Sequence, residues 1–284
     1  MKAKFALLAI LLVSAAACGS QATSQATPQA TETVSLPTPT ATSTPDYSGP
    51  CTNVLFPFLP DRQWVYQKRG MDETVTPDPL TSRFGLTVAG VNDSQALLRA
   101  VDLGSGATTE TFAECQEGAI TNFPLMTLGS LFGNYLAGDI QVQYVSGLFA
   151  PSASALEASG WNMSWQGEYI ASGTVTFSVE GDQTTVLLSD SPVTLRWQNA
   201  GQETVTVPAG TFENAYRVNR TAQIQASITI EGLTGRATIT IETVHWFAPY
   251  VGLLKSEVVS GSLTTFGITF PLEVSGSIEL VEAR

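Results

Sequence analysis

One histidine, three cysteines and thirteen basic residues are all that 284 residues offer to most kinds of site chemistry. His245 by itself falls short of a zinc site, which takes three or four nitrogen, sulfur or carboxylate ligands. A catalytic triad around it would need a serine and an acid delivered by the fold, and no Gly-x-Ser-x-Gly elbow occurs. The phosphate cradles Gly-x-Gly-x-x-Gly and Gly-Lys-Ser/Thr are missing as well. Paired carboxylates for glycoside hydrolysis are a matter of separation in space rather than of sequence. Asp72, Glu73 and Asp78 cluster without Ca²⁺-loop spacing and read as a solvated turn. Thirteen Lys and Arg stand against 25 Asp and Glu; without Lys2 and Lys4 the count is 11 against 25, a net charge of −14. Such a balance opposes binding to nucleic acid or to anionic head groups and suits solubility outside the cell. No catalytic residue, metal or cofactor is expected, and the chain is read as a non-enzyme.

Long apolar runs are scarce too. Phe5–Val13 is unbroken but too short to span a bilayer as a helix. With Lys2 and Lys4 before it and Ser14-Ala-Ala-Ala17 after it, the run reads as a secretory leader. Cys18 follows at once, and the stretch resembles the bacterial lipoprotein signal, with Ala15 where that signal usually carries Leu. Residues 1–18 are therefore expected to be a leader ending at a lipidated Cys18, and the protein an extracytoplasmic one held to the cell membrane by acyl chains. Each buried acyl CH₂ contributes roughly 0.8 kcal/mol. Residues 19–50 are Thr, Ser, Pro, Gln and Ala with two charges, Glu32 and Asp46. This composition cannot bury enough surface to offset chain entropy and predicts a disordered tether with a reach on the order of 30 Å.

What remains, 51–284, reads as one domain without a second linker. If Cys18 carries lipid, Cys51 and Cys115 are left as a pair in an oxidising compartment, and a bridge between them is expected. It would staple the domain's first residues to its sheet and stabilise it by about 4 kcal/mol in the chain-entropy account. Trp64 and Tyr66 share one face of an early strand and read as buried. Strands at Ser82–Ala89, Gln95–Asp102 and Thr108–Cys115, separated by turn residues, suggest an antiparallel meander. Further strands are expected at Tyr169–Val179, Thr184–Leu188, Val193–Trp197 and Thr204–Val207. After the Pro208-Ala-Gly210 corner, Ala222, Ile224, Ala226, Ile228 and Ile230 alternate with polar residues. Ala237, Ile239 and Ile241 repeat the pattern across Glu231–Gly235, giving a long hairpin with one buried face. Three strands follow: Leu253–Val259, Leu263–Phe270 and Glu273–Val281.

Between these sheet regions, 122–165 differs. Leu125, Leu128, Leu131, Phe132, Tyr135 and Leu136 fall at helical period, with Asn122 placed to cap, and a second short helix is expected over Ser152–Ala158. The apolar face either packs plainly on the sheet or acts as a lid over an apolar cavity lined by Leu128, Leu131, Phe132, Tyr135 and Phe149. The fold expected is mainly β: one large curved antiparallel sheet or half-barrel of about a dozen strands, with one or two short helices on its concave face. His245 continues the alternation of Ile239, Ile241 and Thr243 and falls at the end of an inner face.

Four pieces carry a resemblance: Phe56-Pro57 leading to Trp64-Val-Tyr66; Leu148-Phe-Ala-Pro151; Val205-Thr-Val-Pro-Ala-Gly-Thr-Phe212; and Trp246-Phe-Ala-Pro-Tyr-Val-Gly-Leu-Leu-Lys255. Together they resemble the TapB-like bacterial envelope lipoproteins, a family of unknown function whose sheet is similar to the half-barrels of LolA and LppX. In that family Gly commonly follows the Pro of the last motif; here it is Tyr250. The resemblance implies a curved sheet over helices and room for an apolar ligand, at the level of fold only. Two functions are expected. The first is a monomeric, membrane-anchored, non-enzymatic carrier of an apolar ligand or lipid. The second is an envelope interaction or structural module whose sheet binds protein or polysaccharide.

Overall fold

The structure is a computed structural model that describes residues 49–70, 83–126, 140–179, 182–230 and 233–284. Among the described residues, thirteen strands form a single sheet in which every pairing is antiparallel. In chain order they are β1 (Gln63–Arg69), β2 (Arg83–Val91), β3 (Gln95–Asp102), β4 (Thr108–Gln116), β5 (Ala119–Asn122), β6 (Ile140–Gly147), β7 (Ser164–Val179), β8 (Asp182–Val207), β9 (Gly210–Ile230), β10 (Leu233–Ala248), β11 (Gly252–Thr265), β12 (Ile268–Pro271) and β13 (Ser277–Ala283). The meander β1–β5 and the meander β6–β11 meet through β13, which lies between β1 and β11; β12 pairs only with β11. The two free edges, β5 and β6, come together through a bridge from Ile120 to Ala150 just beyond β6. The sheet is thus a nearly closed barrel, the curled outcome that a long twisted sheet favours.

The alternating hairpin is where the sequence placed it, and its apolar set faces inward. Ala222, Ile224, Ala226 and Ile228 on β9 and Ala237, Ile239 and Ile241 on β10 are all buried. Ala237 pairs with Ala226, and Ile239 with Ile224. β10 begins at Leu233, so the connection is shorter than Glu231–Gly235. A larger correction concerns β8. The three strands expected between Thr184 and Val207 are one strand of 26 residues. Asp190, at φ 47°, and the Asn199–Gly201 stretch look like turns in the sequence, but they lie at register shifts against β7 and β9. Bulges let extra residues bend a strand without ending it. The last three strands are likewise redivided, with a long β11 followed by short β12 and β13.

Asn122 does not cap a helix; it ends β5, opposite Glu114. Pro124–Met126 forms one 3-10 turn, and most of the helical-period stretch lies outside the described residues. The second helix forms as expected. Helix α1 (Ala153–Ala158) is capped by Ser152, whose Oγ accepts from the Ala155 amide, and it buries Leu156.

The four motifs that carry the resemblance meet at one end of the barrel or brace it. Phe56 contacts Phe58, Phe123, Phe149 and Phe247 at centroid distances of 5.2–6.2 Å. Asn53 donates to Pro151 O at 2.7 Å and accepts from the Leu55 amide at 2.9 Å. The Pro208–Gly210 corner is held by Ala209 N–H donating to Leu280 O. In the last motif Tyr250 adopts φ 59°, the left-handed region that a glycine enters more cheaply. The turn is fixed from outside: Tyr250 N–H donates to Val54 O, and its carbonyl accepts from Arg62. Trp64 donates to Val251 O at 2.6 Å, and its indole leaves only 3.0 Å for a Cβ at Gly252, whose φ is 114°. Cys51 and Cys115 are bridged with Cα atoms 5.1 Å apart, fastening this end to β4.

Candidate functional site

The inner face of β8–β10 is mostly apolar, and its charged and imidazole side chains gather at one level. Stepping back along β9 from Ala222, the next inward residue is Arg220; stepping forward along β10 from Ile241, the next are Thr243 and His245. All three are buried, at 2%, 1% and 0% exposure. The ladder sets them side by side, Arg220 opposite Thr243 on β10 and opposite Trp197 on β8.

Arg220 Nε donates to Thr243 Oγ1 at 3.1 Å, and Arg220 Nη1 donates to Met126 O at 3.1 Å. Its guanidinium carbon lies 5.4 Å from the Trp197 ring centroid, a cation–π arrangement that gains from exclusion of water. Thr243 Oγ1 is also 2.9 Å from His245 Nε2. With one lone pair taken by Arg220, the Thr243 hydroxyl keeps a second lone pair and its proton, so the bond to His245 Nε2 is compatible with either imidazole tautomer. Burial, reinforced by the adjacent Arg220 charge, holds the imidazole well below its ordinary pKa and therefore neutral. Among the described residues, His245 Nδ1, Trp197 Nε1 and Tyr169 Oη are buried and find no hydrogen-bond partner. Burial is also the main reason that the Tyr169 phenol is held above its usual range; Tyr144 and Glu114 add to the rise and Arg220 opposes it.

The outer face of the same strands holds a second feature, a groove of about 470 Å³. Two rows of the ladder build it: Ser164, Gln198 and Asn219, then Gln166, Arg196 and Thr221. Trp165 and Trp197 complete the lining. The side chains that alternation points outward are amides, hydroxyls and one guanidinium.

Of the residues that the sequence singled out, Leu128, Leu131, Phe132 and Tyr135 lie outside the described residues, as do Cys18, Asp72, Glu73 and Asp78. Phe149 is 1% exposed and packs edge-on against Phe123 and Trp197, each with centroids within 5.5 Å. Beside this cluster, the void bounded by Phe56, Phe58, Trp64, Phe123 and Met126 is only about 10 Å³. His245 is on the inner face, as its alternation implied. Arg220 and Trp197 went unremarked, although the same alternation, carried one step outside the apolar run, places both inside. Among the described residues, no three His, Cys, Asp or Glu side chains gather to hold a metal, and no helix is long and apolar enough to cross a membrane.

The DUF3108-like family model matches residues 194–263, a stretch that contains Trp197, Arg220, Thr243 and His245. No curated protein matches the chain. Two crystal structures are similar in fold. One is of a candidate lipoprotein from Parabacteroides distasonis, at 16% identity, 82% of this chain, 99% of that one and a TM-score of 0.49. The other is of a candidate exported protein with a YmcC-like fold from Bacteroides fragilis, at 13% identity, 82% and 99% coverage and a TM-score of 0.44.

Proposed function

We propose that this chain is an extracytoplasmic binding module, tethered to the membrane through lipidated Cys18, that makes and breaks no covalent bonds and docks a hydroxyl-rich polysaccharide in its outer groove. The observation that carries the reading is the groove across β7, β8 and β9. Its amides offer donor and acceptor on one planar group, Arg196 offers a fixed fork of donors, and Ser164 and Thr221 rotate to suit, which is the equipment needed to match sugar hydroxyls. The groove crosses the strands, so a polymer would meet side chains repeated at the inter-strand spacing of about 4.8 Å. The tether expected over residues 19–50 suits a target that is part of the envelope rather than a diffusing metabolite. The absence of catalysis is supported by the position of His245, sealed inside the barrel with a threonine as its partner. For the carrier of an apolar ligand, the one expected lining residue that is described, Phe149, is part of a close-packed aromatic cluster.

The test is co-sedimentation of the full chain with polysaccharide fractions from its own envelope. The wild type is expected to pellet with one fraction, and Arg196→Ala combined with Gln198→Ala is expected to weaken that binding at least tenfold while Tm stays unchanged. A wild-type protein that stays in solution with every fraction overturns the reading. Co-extraction of a stoichiometric lipid from the host would favour the carrier instead.

A further inference from the structure

The outer groove is lined by neutral side chains with one exception, Arg196. Arg196 is exposed and sits in the middle of its row, between Gln166 on β7 and Thr221 on β9. In a chain with 25 acidic and 13 basic residues, a carboxylate partner for a cation is easy to supply. Arg69, Arg99, Lys255 and Arg284 each have one, at 2.7–3.5 Å. Arg196 forms neither an ion pair nor a hydrogen bond among the described residues. The two carboxylates that flank it are engaged elsewhere. Glu168, two residues along β7 from Gln166, accepts from Gln166 Nε2 at 3.1 Å and from Thr194 Oγ1 at 2.8 Å. Glu242 lies beyond Thr221 in the same row, two inter-strand steps or about 10 Å of backbone from Arg196, and accepts from Ser260 Oγ at 2.7 Å. The groove therefore offers an unneutralised guanidinium fork among amides and hydroxyls. Such a fork matches a carboxylate with two parallel hydrogen bonds, roughly twice as strong as those between neutral groups. The acid excess of the whole chain opposes an anionic polymer at a distance, but salt screens that field beyond about 8 Å, so the groove's own lining decides at contact.

We infer that the polymer taken by the outer groove is an acidic polysaccharide of the uronic-acid type, with a sugar carboxylate paired to Arg196 and ring hydroxyls met by Gln198, Asn219 and Thr221. The inference rests on the polysaccharide reading of the groove and narrows it. A carboxylate fits better than a phosphodiester because it is carried on the sugar ring. Its charge and the hydroxyls of the same ring then fall together on Arg196 and its neighbours across the ladder, Thr221 and Asn219. A phosphodiester lies between sugars and separates the two.

The test uses the full chain and the envelope polysaccharide fraction with which it sediments. Half of that fraction is carboxyl-reduced with carbodiimide and borohydride, which turns each uronic acid into the neutral sugar and keeps the other hydroxyls. The wild type is expected to bind the untreated half at least tenfold more tightly than the reduced half. Arg196→Gln keeps a hydrogen-bonding side chain and removes the charge. It is expected to bind the untreated half at least fivefold more weakly than the wild type and to bind both halves alike, with Tm unchanged. Equal wild-type binding to the two halves overturns the acidic polymer and leaves the groove reading standing. Sedimentation with no fraction at all overturns the groove reading, and this inference falls with it. A preference for the untreated half that persists in Arg196→Gln overturns the pairing with Arg196.

Discussion

Two buried regions of one barrel solve opposite problems. At the end fastened by the Cys51–Cys115 bridge, Phe56, Phe58, Phe123, Phe149 and Phe247 fill space with interlocking rings that need nothing from outside the cluster. Further along, Arg220, Thr243 and His245 fill a comparable depth with hydrogen-bonded polar groups, beside which His245 Nδ1 and Trp197 Nε1 find no partner among the described residues. The first region is stability with no residual capacity. The second gives up stability and keeps hydrogen-bonding capacity in reserve. Apolar contacts saturate by packing alone, whereas polar groups saturate only when donors and acceptors are matched in number. Where they are not matched, the remainder is a binding potential.

The contrast can be broken most sharply at the aromatic end. Phe56→Ala removes the ring that touches four others and is expected to cost about 3–5 kcal/mol in urea unfolding, because rigid neighbours cannot collapse into the space. A loss below about 1 kcal/mol would mean that the cluster is not the packing centre described. Next in size, Cys51→Ser with Cys115→Ser is expected to lower stability by about 2–4 kcal/mol while leaving the Trp197 indole resonance in place, since the bridge fastens only the aromatic end. Movement of that resonance would show the two regions to be coupled. At the polar level, Thr243→Val keeps the volume and strands both Arg220 Nε and His245 Nε2, for an expected loss of about 1–3 kcal/mol. A neutral Thr243→Val would mean that the hydroxyl is not the link between them.

The smallest effect expected is a pH dependence at Lys68 on β1. Burial lowers its pKa from 10.5 to about 8, partly offset by the Asp102 charge. Between those values the unfolded chain holds a proton that the folded chain has released, so the contribution of Lys68 to stability rises with pH from about 8 to about 10.5. Lys68→Met is expected to be more stable than the wild type at pH 7 by a margin that narrows by pH 10, read as the difference in Tm. A margin independent of pH would show that Lys68 titrates normally.

Much of this was legible in the sequence, and the reasons for the rest are specific. β3 runs from Gln95 to Asp102 as read, because turn residues bound it on both sides. The Ala222–Ile241 hairpin was legible because its apolar residues alternate with polar ones. β8 was not, because a bulge and a turn draw on the same residues: Asp190 and Asn199-Ala-Gly201 suit either, and only pairing with β7 and β9 decides. The polar level was half legible. His245 could be placed inside by counting in twos from Ile239. Arg220 obeys the same count but is an arginine, and the expectation that charges face water hid it. The outer groove could not be read, since it depends on which strands lie side by side and how they curve.

The place of β13 has one more consequence. It is the thirteenth strand in the chain and yet the sixth in the sheet, the strand through which the β1–β5 arm pairs with the β6–β11 arm. Gln63, at the start of β1, and Arg284 exchange both backbone hydrogen bonds across that junction. Contacts that distant in sequence make closure slow. The fold therefore has a built-in order: the two arms can form their own pairings, but the barrel cannot lock until β13 is in place between them.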